Sequence, residues 1–76
     1  MQGKPYIGVD VSGAELVIAR AGARGVRRVE NSAQTAQALC AEWRQAGVAL
    51  VAFEPTGGHE RELRRALVAA GVAFGF

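Results

Sequence analysis

Lysine is almost missing from this chain: of its nine basic residues only Lys4 is a lysine, and the other eight are arginine. Cysteine is as scarce. A single thiol, Cys40, excludes an internal disulfide and agrees with a reducing compartment, so a cytoplasmic location is expected. No uncharged apolar stretch approaches the roughly 20 residues that cross a bilayer, and the opening Met1-Gln2-Gly3-Lys4-Pro5 carries no signal-peptide pattern. No membrane role is expected. Repeats, linkers and low-complexity segments are also lacking, and at 76 residues the chain has room for one domain, spanning 1–76. A domain of this size buries only about 60% of the surface its unfolded chain exposes.

Half of the residues are apolar, which is enough for a core. The formal charge of +2 permits nucleic-acid binding without requiring it. The arginines fall into two clusters, Arg20, Arg24, Arg27 and Arg28, and then Arg61, Arg64 and Arg65. Guanidinium groups engage phosphate bidentately, but the simpler reading is a pair of solvated faces balancing Glu15, Glu30, Glu60 and Glu62.

Apolar periodicity divides the chain into alternating elements. Tyr6 to Val11 reads as a first strand, Ser12-Gly13 as a tight turn, and Ala14 to Arg20 as a second strand. After the Gly22 to Gly25 turn, Val26 to Glu30 alternates as a half-exposed third strand, completing an antiparallel meander. The period then changes. Asn31 or Ser32 caps a helix, with Gln34 in a capping-box position relative to Asn31, and Ala36, Leu39, Cys40 and Trp43 form its apolar stripe up to Gly47. Val48 to Phe53 is apolar at nearly every position, as in a strand buried on both faces. Leu63, Ala66, Leu67 and Ala70 make the stripe of a second helix closed by Gly71, and Val72 to Phe76 reads as a fifth strand.

Two acidic residues stand at the ends of apolar runs. Asp10 closes Tyr6-Ile7-Gly8-Val9 ahead of Val11-Ser12-Gly13, and Glu54 follows Phe53 ahead of Pro55-Thr56-Gly57-Gly58. Each carboxylate is therefore aimed out of the carboxyl end of a strand, the edge at which open α/β sheets bind ligands. If the two strands are neighbours the acids converge. Paired carboxylates on rigid strands suit Mg²⁺ or Mn²⁺, hard cations that take oxygen ligands and keep waters for a phosphate substrate to displace.

The order β-β-β-α-β-α-β, with right-handed crossovers, predicts an α/β fold with a ribonuclease H-like mixed sheet: strand one central, strand four parallel beside it and strand five beyond. A plain doubly wound fold would need a helix between the first two strands, and Val11 to Ala14 leaves no room for one.

The motif Tyr6-Ile7-Gly8-Val9-Asp10-Val11-Ser12, followed by Phe53-Glu54-Pro55-Thr56-Gly57-Gly58-His59-Glu60 and Leu63 to Gly71, resembles the N-terminal part of the DEDD (RuvC-like) transposases of bacterial insertion sequences. The resemblance spans essentially the whole chain. It implies that Asp10 and Glu54 match the first two acids of a catalytic, metal-binding tetrad, whose other two acids would lie beyond Phe76 on C-terminal catalytic helices. It implies Mg²⁺-dependent (or Mn²⁺-dependent) phosphoryl transfer for DNA strand cleavage and joining, with DNA as a partner of the complete protein, a structured guide RNA in at least some members of the family, and a fragment inactive alone. Two positions depart from the family pattern: Gly13, where lysine is common, and His59, where tyrosine is common.

Other readings remain open at this level. Actin-like and sugar-kinase ATPases open with a similar Gly-x-Asp strand and hairpin, although here Ala14-Glu15 brings a negative charge toward the proposed phosphate. A non-enzymatic remnant acting through assembly or nucleic-acid contact, and a small-molecule-binding regulatory domain, are the others. Thr56-Gly57-Gly58 reads either as a phosphate cradle or as a cap with two flexible glycines. His59 reads as an exposed first-turn residue, Asn31 and Ser32 as caps, and Cys40 and Trp43 as core. With only two helices for a sheet that has two faces, uncovered apolar surface and an exposed fifth strand favour a homo-oligomer.

Overall fold

A computed structural model describes residues 5–76; residues 1–4 of the stretch in which no signal pattern was read, Lys4 among them, lie outside the described residues. Strands β1 (Tyr6–Val11), β2 (Glu15–Arg20) and β3 (Arg27–Glu30) come first. Helix α1 (Ala33–Ala46), strand β4 (Leu50–Phe53), helix α2 (Arg61–Ala70) and the short β5 (Phe74–Gly75) follow. The chain is thus an α/β domain, with one mixed five-stranded sheet ordered β3-β2-β1-β4-β5.

The meander forms because its turns are tight and locally satisfied. The Ser12 hydroxyl accepts from the Glu15 amide and donates to the Glu15 carbonyl, while the Ser12 amide also reaches that carbonyl, which closes the β1–β2 hairpin within a few residues. Antiparallel pairing then sets Val9 opposite Ile18 and Asp10 opposite Val17. On the other side of β1 the pairing with β4 is parallel, from Tyr6 with Leu50 to Val9 with Phe53.

Side chains alternate across these strands, so one face carries Ile7, Val9, Val11, Leu16, Ile18, Val51 and Phe53 into a single core. The helices supply the rest. Ala36, Leu39, Cys40 and Trp43 of α1, and Leu63, Ala66 and Leu67 of α2, join the same cluster, as their helical spacing requires. Each helix ends on a glycine in the left-handed region, Gly47 at φ 72° and Gly71 at φ 73°, a conformation in which a Cβ would be strained.

Burial on one face only corrects the reading of β4 as a strand covered on both sides. Ala52 is exposed and Leu50 half-buried, because α1 and α2 pack side by side over the same face of the sheet. The opposite face is left open. There Gly8 lies between Ala19 and Ala52 in neighbouring strands, and Tyr6, Val17 and Asp10 share that face of β1 and β2. Strand bounds are also tighter than the apolar runs suggested: β3 begins at Arg27, leaving Val26 56% exposed, and β5 spans two residues.

The arginine clusters behave largely as solvated faces. Arg27 pairs with Glu42 at 3.2 Å, Arg28 with Glu15 at 2.9 Å, and Arg65 with Glu62 at 3.7 Å, all at exposed positions where such pairs contribute little.

Candidate functional site

Asp10 and Glu54 stand at the same edge of the sheet. Asp10 follows Val9 in β1 and Glu54 follows Phe53 at the end of β4, and Val9 and Phe53 are themselves the last paired residues of the parallel ladder. Each acid therefore lies one residue beyond the end of that ladder, on adjacent parallel strands. Both are exposed, and both line one cavity of about 550 Å³ on the open face of the sheet. Its floor is made of Gly8, Ala19 and Ala52, and Phe76 forms part of its wall.

The cavity's aromatic side is organised around Phe53. Its ring stacks on Phe74 with centroids 5.8 Å apart and meets Phe76 edge-on at 5.2 Å. This packing braces the strand end from which Glu54 projects. Among the described residues no salt bridge neutralises either acid, so the site keeps two anionic oxygen donors accessible to solvent.

Two carboxylates beside an open cavity fit a hard divalent cation that retains most of its waters. They do not make a closed cage. Among the described residues there is no cluster of three or more His, Cys, Asp or Glu arranged to hold a metal ion.

The loop after Glu54 has a different structure from either reading of Thr56-Gly57-Gly58. Helix α2 begins at Arg61, so Thr56 does not cap it, and the helix N-cap is Glu60, without a side-chain capping bond. Instead the Glu60 side chain folds back. Its Oε1 accepts from the Thr56 amide at 3.0 Å, the Thr56 hydroxyl at 3.2 Å and the Gly58 amide at 3.2 Å. Gly57 and Gly58, at φ 73° and 113°, permit the turn that brings these donors together. A phosphate cradle would need the same amides, and an internal carboxylate already occupies them.

Glu60 is 6% exposed, the one charged residue in the buried set. The hydrogen bond from the Thr56 amide, with further ones from its own and the Gly58 amide and the Thr56 hydroxyl, pulls its pKa down to about 2 against the opposing effect of burial. The sequence reading, which put Glu60 on the polar face of a helix, missed this. The available signal was a carboxylate four residues after a threonine that opens a glycine pair.

Asn31 departs from expectation in the same way. The cap of α1 is Ser32, whose hydroxyl accepts from the Thr35 amide at 3.1 Å, and Asn31 takes no part in it. The Asn31 side-chain nitrogen instead donates to the Ser12 carbonyl at 2.7 Å and the His59 carbonyl at 2.9 Å. Its own backbone amide donates to Ala14. No local pattern announces this role, because its partners lie 19 and 28 residues away.

His59 is exposed, as expected, and Cys40 and Trp43 are core. No protein-family model matches the chain, and no curated protein matches it.

Proposed function

We propose that this chain carries the first two acids of a metal-dependent phosphoryl-transfer site acting on DNA. In this reading the sheet is ribonuclease H-like and the protein a DEDD (RuvC-like) transposase, of which these residues form the N-terminal part. The observation that carries the proposal is the placement of Asp10 and Glu54 at the carboxyl ends of adjacent parallel strands, lining one cavity. DNA is the substrate of the complete protein and a structured RNA the guide.

In such a site Asp10 and Glu54 would hold Mg²⁺ or Mn²⁺, and the ion would supply activation of a nucleophile and stabilisation of charge on the leaving oxygen. The contribution of this chain is geometric and electrostatic. Strand pairing fixes where Asp10 begins, Glu54 follows directly on the end of β4, and among the described residues no salt bridge competes for either carboxylate. Two carboxylates cannot fix a pair of ions unaided, so the isolated chain should bind metal weakly and cleave nothing.

Two further features bear on the reading. Gly13 and His59, the two positions that depart from the family pattern, lie against each other: a Cβ on residue 13 would come 3.3 Å from the His59 ring. The departures are therefore neighbours and leave the acids untouched. The rival ATP-binding reading would seat the phosphates at the β1–β2 turn, where Glu15 brings a carboxylate, here paired with Arg28.

Paramagnetic broadening of backbone amide signals by Mn²⁺ tests the proposal. Signals around Asp10 and Glu54 should broaden together at low metal concentration, and Asp10→Ala should abolish the effect at both strands. Tight ATP binding without any response to Mn²⁺ would replace this reading with the kinase-like one.

A further inference from the structure

The parallel ladder between β1 and β4 ends at Val9 and Phe53, one residue short of both acids. Asp10 is still held, since β1 continues to pair with β2 through Val17 and Leu16. Glu54 is not. It stands outside β4, followed by Pro55, which has no amide hydrogen to donate, so strand pairing alone does not determine where its carboxylate sits.

Two devices take over where the ladder stops. The first is internal to the loop: Glu60 gathers Thr56 and Gly58, closing residues 56–60 into a compact unit beginning two residues after Glu54. The second links that unit to the other acid. Asn31 Nδ2 places one hydrogen bond on Ser12, two residues after Asp10, and one on His59 within the Glu60-closed loop. An amide NH₂ has two hydrogens, and here they reach two carbonyls from two different loops.

Asn31 is itself well anchored. It sits between the end of β3 and the cap of α1, with its backbone amide bonded to Ala14 in the β1–β2 turn. The Gly13 backbone lies against the His59 ring, but Ser12, Gly13 and His59 are all exposed, so little burial draws the two loops together. The bridge is polar and directional.

We infer that Asn31 is a positioning residue for the carboxylate pair, a two-way clasp that holds the loop bearing Glu54 in register with the end of β1 bearing Asp10. The inference rests on the metal reading of Asp10 and Glu54 and adds to it the element that keeps them a pair. Without the clasp the two loops remain folded, each by its own hydrogen bonds, but their relative position loosens. An ion coordinated by both acids is then held by only one at a time.

The test compares the wild-type chain with Asn31→Ala in a Mn²⁺ series followed by amide broadening. In the wild type, amides near Asp10 and near Glu54 should share one half-point. In Asn31→Ala the half-points should rise by about tenfold or more, the range seen when residues supporting metal ligands are removed, and should separate between the two strands. Core amides such as those of Leu39 and Leu67 should keep their positions in the metal-free spectrum. A folded Asn31→Ala variant with the common wild-type half-point would overturn the clasp while leaving the metal site standing. If the wild type itself shows no response at either strand, the metal reading falls and the clasp with it. Should Asn31→Ala fail to fold, Asn31→Ser, whose hydroxyl has one hydrogen to give, is read by the same criteria.

Discussion

The Glu60 carboxylate accepts both the backbone amide and the side-chain hydroxyl of Thr56, at 3.0 and 3.2 Å through the same oxygen. This one relationship converts a glycine-rich stretch that looks mobile in sequence into a closed loop. It also makes that loop sensitive to acid, because the bonds favour the ionised carboxylate.

Glu60 has its pKa lowered from an ordinary 4.5 to about 2. A depressed carboxyl contributes stability that is present above pH 4.5 and is lost as pH falls through about 2. Glu60→Gln keeps an acceptor oxygen but has no charge to lose. The variant should be less stable than wild type at pH 7, and the gap should narrow progressively as denaturation is repeated toward pH 2. A gap of constant size across that range would show that ionisation of Glu60 does not matter to the fold.

Asp10→Asn and Glu54→Gln should each remove Mn²⁺ binding without lowering the thermal midpoint. Both side chains are exposed, and no salt bridge to another described residue is broken by either change. Melting curves and the metal series on the same samples decide this. A large drop in midpoint would mean that the acids support the strand ends structurally.

Leu67 has no exposed surface and lies in the cluster that joins α2 to the sheet. Leu67→Ala should cost about 2–5 kcal/mol through lost burial and the cavity it leaves. Small domains have about 5–15 kcal/mol in total, so the variant should be close to unfolding at room temperature. Urea denaturation monitored by Trp43 fluorescence gives the value.

Cys40 lies on the buried face of α1, and desolvation raises its thiol pKa from 9.0 to about 11. Since the thiolate is the reactive form, alkylation at pH 8 should be slower in the folded chain than in urea by on the order of 100-fold from ionisation alone. Occlusion slows it further. Mass-spectrometric labelling rates check this, and equal rates in both conditions would show that α1 detaches readily.

The open face of the sheet exposes Tyr6 at 56% and Val26 at 56%, and Phe76 at 69% lies beside the cavity there. The two-residue β5 forms one edge of the sheet. Self-association through this face or edge is expected at micromolar concentration. Sedimentation velocity should report a species larger than the monomer, and Phe76→Ser should shift it back; a wild-type monomer at all concentrations would exclude the contact.

What could be read from the sequence was whatever depends on neighbours along the chain. Apolar runs at Tyr6 to Val11 and Ala14 to Arg20, and the 3.6-residue stripes of Ala36, Leu39, Cys40 and Trp43 and of Leu63, Ala66 and Leu67, correspond to the strands and helices found. Gly47 and Gly71 marked helix ends because only the left-handed conformation closes a helix that way. Asp10 and Glu54 stood out for the same local reason, as charges at the ends of apolar runs.

Tertiary structure decided everything that depends on which face is covered and on partners distant in the chain. Val48 to Phe53 is apolar throughout, yet nothing in it tells whether one or two layers of helix will lie over it; both helices took the same side, and Ala52 was left exposed. Asn31 resembled a cap because a cap is what its immediate neighbours would make of it. Its actual carbonyl partners, Ser12 and His59, reach it only after β1, β3 and the loop before α2 have come together. Glu60 resembled a solvated helix charge until the positive-φ glycines turned the loop back onto it. In both cases a short polar side chain found its hydrogen-bond partners in space, where apolar periodicity carries no signal.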